Sequence, residues 1–569
     1  MKRIATGLGA LVLIAACGSG DTDTIEPTLA ETLDLILPLP NGTSTEITAE
    51  DISSRLKTIS DDAFEGRAPG TPGGEGSADW VAAEMQRIGL EPGVDGSYFQ
   101  TVEMVETTLD TSASGLSISD GADFNKDLEI GNDTVIWSKK QNGTDFSLTD
   151  SDLVFVGYGS VAPEYGWDDY AGMDMSGKTV VMLVNDPGYA TQDPDLFNGT
   201  SMTYYGRWTY KFEEAGRQGA DAAIIIHETA PASYGWYVVA NSWSGAQADL
   251  VRKDGGANRT MMEGWVSIEA ATELFEAAGL DLEEMKTAAK TKGFMPVPMG
   301  SLKASGEIKQ TLENKQSRNV IGVHKGSERP DEYVSYVAHW DHLGKGAGDL
   351  STGDRIFNGA VDNASGTSAI LDIAEKITTE QTERSVMFIA VTLEESGLLG
   401  SAYYAENPIV PHNQMVAGIN IDAMLPMGKT KDVIVIGYGA SELEDRLKVL
   451  TDAAGRVIVP DQNPQAGYFY RSDHVSLAKK GVPMLYADGG IDKVDGGKDA
   501  GRAIVANHTI ERYHKPADEF QPDWDFSGMV EDVTMLYDLG LGLANSRDWP
   551  EWYDGNEFKA IREASLAEK

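Results

Sequence analysis

Three short apolar runs, at 333–338, 386–393 and 416–421, each end on a residue able to bind a metal. The first runs into His339, the second into Glu394 and Glu395, the third into Asp422. Imidazoles and carboxylates together suit a divalent cation such as zinc. Two adjacent glutamates at the end of a buried strand are costly unless something uses their charge. Either the strand has already reached solvent there, or one Glu binds a metal while its neighbour stays free as a general base. The second arrangement is what metal-assisted hydrolysis needs. Asp362 lies just ahead of a helix predicted over 367–377. Alone it reads as a turn or capping aspartate, but in this company it is a further carboxylate ligand. His514 stands in a loop marked by Pro516. Asp341, two residues after His339, is placed to orient the second nitrogen of that imidazole.

These side chains need a scaffold that brings strand ends together. Continuous Val- and Ile-rich runs read as strands buried on both faces of a parallel sheet. In open α/β sheets the ligand crevice lies at the carboxyl ends of the strands. The fold class expected is therefore α/β, with a mixed, largely parallel sheet flanked by helices. Strand and helix alternate from about 303 to 545, the first strand being 319–323, and a polar tail follows.

At 569 residues the chain exceeds one ordinary core, so two or more domains are expected. The net charge of −43 argues against nucleic acid as a partner. Lys2 and Arg3 precede an apolar stretch too short to span a bilayer as a mature helix, and the only cysteine, Cys17, follows it. That pattern resembles a bacterial lipobox. Residues 1–17 are thus expected to be a lipoprotein signal, and membrane contact is expected through a lipid anchor alone, in the outer membrane facing periplasm or exterior. Residues 18–45 read as a linker. In 46–105, Thr48 to Asp51 resembles a capping box, 66–76 reads as a glycine-rich loop and 77–88 as an amphipathic helix closed by Gly89. From 106 to 303 strand-like runs alternate with turns and no tight His/acid cluster occurs, which suggests an inserted accessory domain. Residues 304–569 complete the catalytic domain.

The order His339, Asp362, Glu394-Glu395, Asp422, His514 resembles that of the co-catalytic zinc aminopeptidases, which share a superfamily with glutamate carboxypeptidase II and the transferrin receptor. The local motifs are similar too: Ala338-His339-x-Asp341-His342-x-Gly344, Asp362-Asn363-Ala364-Ser365-Gly366, Glu394-Glu395-x-Gly397, Asn420-x-Asp422 and Tyr513-His514-x-Pro516-x-Asp518. The resemblance implies a zinc exopeptidase fold whose 106–303 insert is a protease-associated domain. It implies two zinc ions, one held by His339, Asp362 and Asp422, the other by Asp362, Glu395 and His514, with Asp362 bridging. Glu394 would be the base and Asp341 the partner of His339. Peptides would be the substrates, cut from the N-terminus. A carboxypeptidase or dipeptidase on the same scaffold, and a receptor-like binding protein without catalysis, are the alternatives. The related one-zinc glutaminyl cyclases fit less well. His342, His508, His412, His324 and His227 read as surface or satisfied structural histidines, and Arg471 to His474 as structural or substrate-lining.

Overall fold

The computed structural model describes residues 43–243, 245–346 and 353–567. The leader expected at 1–17 and nearly all of the linker at 18–45 lie outside the described residues. Among the described residues no helix is long and apolar enough to cross a membrane.

The site is carried by one sheet. Its strands are β1 (Phe99–Leu109), β2 (Val297–His324), β3 (Arg329–His339), β4 (Arg384–Val391), β5 (Met415–Asn420), β6 (Asp432–Ile436), β7 (Val457–Pro460) and β8 (Met484–Gly489). Strand β3 pairs in parallel with β4 on one side and β5 on the other, and β5 pairs in parallel with β8. Strands β6 and β2 run antiparallel to β8 and β4, so the sheet is mixed with a parallel centre. Every residue of β4 and β5 is buried. The cause is cover on both faces. Helices α1 (Ala49–Ile59), α2 (Pro72–Ile88), α3 (Ser365–Ile377) and α4 (Ser527–Asn545) supply one apolar layer. Tyr404, Val475, Leu477, Trp552 and Phe558 pack on the other face.

The N-terminal helices are set by local chemistry. Thr48 caps α1, accepting from the Asp51 amide, and its hydroxyl donates to the Asp51 carboxylate. Helix α2 begins earlier than the glycine pattern suggests, at Pro72, with Thr71 as its cap. The glycines that read as loop lie inside its first turns because of close packing: a Cβ on Gly74 would sit 2.0 Å from the Ala68 carbonyl. Arg55 of α1, fully buried, joins Glu84 of α2 to Asp372 and Glu375 of α3. Removing one partner from such a buried network typically costs about 3–5 kcal/mol.

A second sheet forms the inserted lobe. Strands Asp145–Phe155, Lys178–Leu183, Ala222–Ile226 and Met262–Val266 run parallel in that order. The lobe has its own apolar cores, one around Phe155, Ile224 and Phe275, the other around Trp137, Phe212 and Trp265. Positions 106 and 303 both fall within strands. Strand β2 pairs with lobe strands over 297–309 and with β1 over 310–320. One strand therefore belongs to both sheets.

Candidate metal centre

Strand β3 ends at His339, buried and directed to the carboxyl edge of the sheet. Glu394 and Glu395 follow the end of β4, and Asp422 follows the end of β5. Two left-handed residues turn the chain there: Leu393 (φ 58°) just before Glu394, and Ala423 (φ 56°) just after Asp422. His514 itself is left-handed (φ 57°). Each such residue costs of order 1 kcal/mol and persists where the surroundings over-determine it.

The sequence-expected residues converge. His339 Nε2 lies 3.3 Å from Asp362 Oδ1 and 3.3 Å from Asp422 Oδ1. His514 Nε2 lies 3.1 Å from Asp362 Oδ2 and 3.1 Å from Glu395 Oε2. The two oxygens of Asp362 thus face two different imidazoles. Glu394 Oε2 stands farther from His339 Nε2, at 3.9 Å. Asp341 plays a double part. Its carbonyl lies 3.2 Å from His339 Nδ1, while its carboxylate accepts the Glu394 amide.

Several supporting residues have no role assigned by the sequence. Arg67 is buried and donates to the carbonyls of Trp340, Ile59, Asn358 and Gly359. One guanidinium so ties the His339 loop to the Asp362 loop. Asp518 accepts the amides of Val361 and Asp362 from behind. Asn363 accepts from Ala423 and donates to the Ile421 carbonyl, joining the Asp362 and Asp422 loops. That contact needs a glycine next door, since a Cβ on Gly366 would lie 2.4 Å from the Ile421 carbonyl.

Of the two readings open for His342, the structure takes the structural one. It is buried, with Nδ1 2.6 Å from Glu395 Oε1. Its place in the His339 motif masked a role of its own. The Arg471 to His474 segment also reaches the centre. Ser472 donates to Asp422 Oδ2 at 2.6 Å and accepts from Asn420 at 2.7 Å. Asp422 is thereby left with Oδ1 toward His339. Ser472→Ala should weaken zinc binding about 10–100-fold, the usual effect of losing a partner behind a ligand; competition with a fluorescent chelator measures it, and an unchanged affinity would make this hydrogen bond incidental.

The electrostatics favour cations. Burial opposes charge on His339, yet Glu394 and Asp422 override it and hold its pKa well above the ordinary value. Burial, with Glu395 and Asp422 close by, pushes the Glu394 carboxyl well up, against the pull of His339. Burial alone is the main force raising Asp341 to about 7. Burial also works against Glu395, but His514 and His342 hold it down at about 2.

Donor type and geometry fit divalent metal. Two clusters have atoms mutually within 4.8 Å: His339, Glu394 and Asp422, and His342, Asp362 and Glu395. Buried His342 Nε2, on the far side of the ring from Glu395, has no hydrogen-bond partner. Such orphaned polar atoms are rare in folded proteins and signal a missing partner. His514, more than a third exposed, approaches the second cluster from the open side, whereas His342 is sealed behind Glu395. We therefore read His514 as the ligand and His342 as the residue that orients Glu395.

Comparison with known proteins places part of the chain among peptidases. Residues 319–537 match the model of Peptidase family M28. The segment bearing the whole ligand set is thus related to the M28 peptidases. Aminopeptidase NAALADL1 of Mus musculus is 33% identical over 136 residues, which is 22% of this chain and 16% of that protein. Aminopeptidase YwaD of Bacillus subtilis (strain 168) is 34% identical over 99 residues, 17% of this chain and 19% of its own length. The chain therefore matches less than a fifth of the length of these two curated relatives. Across the whole fold, the structure of the aminopeptidase from Aneurinibacillus sp. strain AM-1 aligns with a TM-score of 0.51 at 17% identity, covering 89% of this chain and 96% of that one. The mixed, largely parallel α/β architecture is shared with that enzyme.

Proposed function

We propose that the chain is a zinc-dependent exopeptidase, an aminopeptidase that binds two zinc ions. The observation that carries this reading is Asp362, whose two oxygens each face a different imidazole. His339, Asp362 and Asp422 would hold one ion, and Asp362, Glu395 and His514 the other. Two divalent ions there would polarise the scissile carbonyl and activate a water. Glu394, the carboxylate set back from the imidazoles, takes the proton and returns it to the leaving amine. Asp341 fixes the Glu394 backbone and the His339 ring. The surrounding carboxylates favour a protonated α-amino group at the same place, which suits cleavage at free N-termini.

The M28 match and the aminopeptidase relatives support the class of reaction. We read the inserted lobe as a protease-associated domain that shapes substrate access. Cys17 would anchor the chain by lipid to the outer membrane, where mixed digestion peptides arrive. The test is a panel of aminoacyl p-nitroanilides and N-acetylated peptides, with and without 1,10-phenanthroline. We expect hydrolysis of the first group only, abolished by the chelator and restored by zinc. Efficient release of C-terminal residues from N-blocked peptides would overturn the aminopeptidase assignment in favour of a carboxypeptidase.

A further inference from the structure

The lobe also lends a strand to the catalytic sheet. Ala246–Leu250 pairs antiparallel with β1 over Met104 to Thr108. Among the described residues no strand pairs with its other edge. The Val251 amide donates to the Glu103 carbonyl at 3.1 Å, which fixes the alternation. Gln247 and Asp249 bond inward to β1, while the N–H and C=O groups of Ala246, Ala248 and Leu250 point outward. Leu250 is satisfied by side chains, its amide by Asp249 and its carbonyl by Gln141. The outward groups of Ala246 and Ala248 meet no protein partner, although Ala246 is exposed and Ala248 half-buried. Edge strands are ordinarily guarded by charges or proline, and Ala246-Gln247-Ala248 has neither. At the opposite edge of the sheet β7 ends in Pro460, which has no N–H to offer.

The open edge lies on the metal-bearing side of the sheet. Ala390 of β4 is opposite Val320 of β2, so residues 310–319 of β2 run on past the carboxyl end of β4, where Glu394 lies. The lobe strand joins that projecting part, because Met104 to Thr108 pair with residues 311–315. Ala248 and Leu250 pack against a buried cluster that includes Leu399 and Leu393, the residue before Glu394. Sideways, β1 and β2 separate the strand from β4, a distance of three strand spacings or about 14 Å. A second feature beside the edge lacks a partner. Buried Gln310 lines a cavity with Trp137, Trp243, Gln247 and Ala248. Its Nε2 donates to the Lys140 carbonyl, but its Oε1 accepts no hydrogen bond. Acceptors buried in this way are rare and call for a donor.

We propose that the edge of Ala246–Leu250 is a subsite for the main chain of the peptide being cut, which adds to the sheet as a further strand downstream of the cleaved residue. Unpaired N–H and C=O groups at alternate residues are matched by an extended backbone, which offers the same groups at the same two-residue repeat. An extended chain rises about 3.3 Å per residue, so a peptide with its N-terminus at the metals reaches the edge after about four residues. The substrates selected are therefore unstructured peptides of about five residues or more, in preference to di- and tripeptides. This inference rests on the peptidase reading above.

The test measures kcat/KM on the zinc-loaded full chain for peptides of Leu followed by alternating Ala and Ser, from dipeptide to nonapeptide. We expect a rise of at least about tenfold between the tripeptide and the octapeptide. Single N-methyl groups placed along the octapeptide, from its fourth residue onward, should lower kcat/KM about tenfold at every second amide and little in between, because only alternate amides face the edge. Ala248→Pro removes one outward N–H without breaking a bond to β1, and should lower the octapeptide value about fivefold more than the Leu-Ala value. A flat length series, or N-methyl losses without alternation, would overturn the subsite and leave the peptidase reading standing; both are read on the wild-type chain. If no peptide is hydrolysed, the peptidase reading falls, and fluorescence anisotropy with the fluorescein-labelled octapeptide and its alternately N-methylated form decides the subsite. Weaker binding of the methylated form supports it; equal binding, or none, overturns it.

Discussion

Glu394→Gln should lower kcat by about 10²–10⁴-fold, the range of a positioned general base, while zinc content and melting temperature stay at wild-type values. The amide keeps the shape of the side chain and removes its ability to take a proton. The geometry separates this residue from the ligands. Asp362 and Asp422 approach His339 Nε2 at 3.3 Å, whereas Glu394 stays at 3.9 Å. Its backbone is fixed independently, by the Asp341 carboxylate on its amide and by Leu393 before it. Glu394 is nonetheless near enough to His339 and Asp422 to complete a ligand cluster with them. Metal analysis of the variant therefore decides: loss of zinc together with activity would make Glu394 a ligand and leave the base unassigned.

Asp362→Ala should abolish tight zinc binding altogether, whereas His514→Ala should leave one ion per chain. The reasoning is geometric. A side chain that serves one imidazole with each oxygen has no substitute on either side, while His514 serves only one cluster. His342→Ala should retain both ions, bound less tightly, because that ring orients Glu395 from behind. Elemental analysis after dialysis against a zinc buffer gives the stoichiometries. One tightly held ion in Asp362→Ala would show that the two clusters are independent and that Asp362 is not a bridge. Backbone collapse is not expected from the change, since Asp518 and Asn363 hold this loop through main-chain contacts on either side.

Part of the candidate site was legible in the sequence because it sits where strand periodicity breaks. His339, Glu394 and Asp422 each end an apolar run, and the runs are buried throughout because helices and loops cover both sheet faces. The contacts of the supporting residues were not legible, even where a residue fell in a noted motif, because each acts across a long stretch of chain. Arg67 reaches Gly359, Asp518 reaches Asp362, and Ser472 reaches Asp422 through single side-chain contacts that leave no periodic trace. The start of α2 was misplaced for a related reason. Glycines at 73 and 74 weaken a helix locally, and the approach of the Phe64 to Ala68 backbone explains them.

The strand shared by the two sheets has a mechanical consequence. Val297–His324 is hydrogen-bonded to lobe strands at one end and to β1 and β4 at the other. It works as a common beam, and a beam paired along both halves resists bending at its midpoint. Relative movement of lobe and catalytic domain would therefore concentrate elsewhere, at the seam near 463–471. There the contacts are ring faces and isolated hydrogen bonds rather than a ladder. The lobe and the catalytic domain are thus held by a continuous ladder along the shared strand and by scattered contacts at the seam.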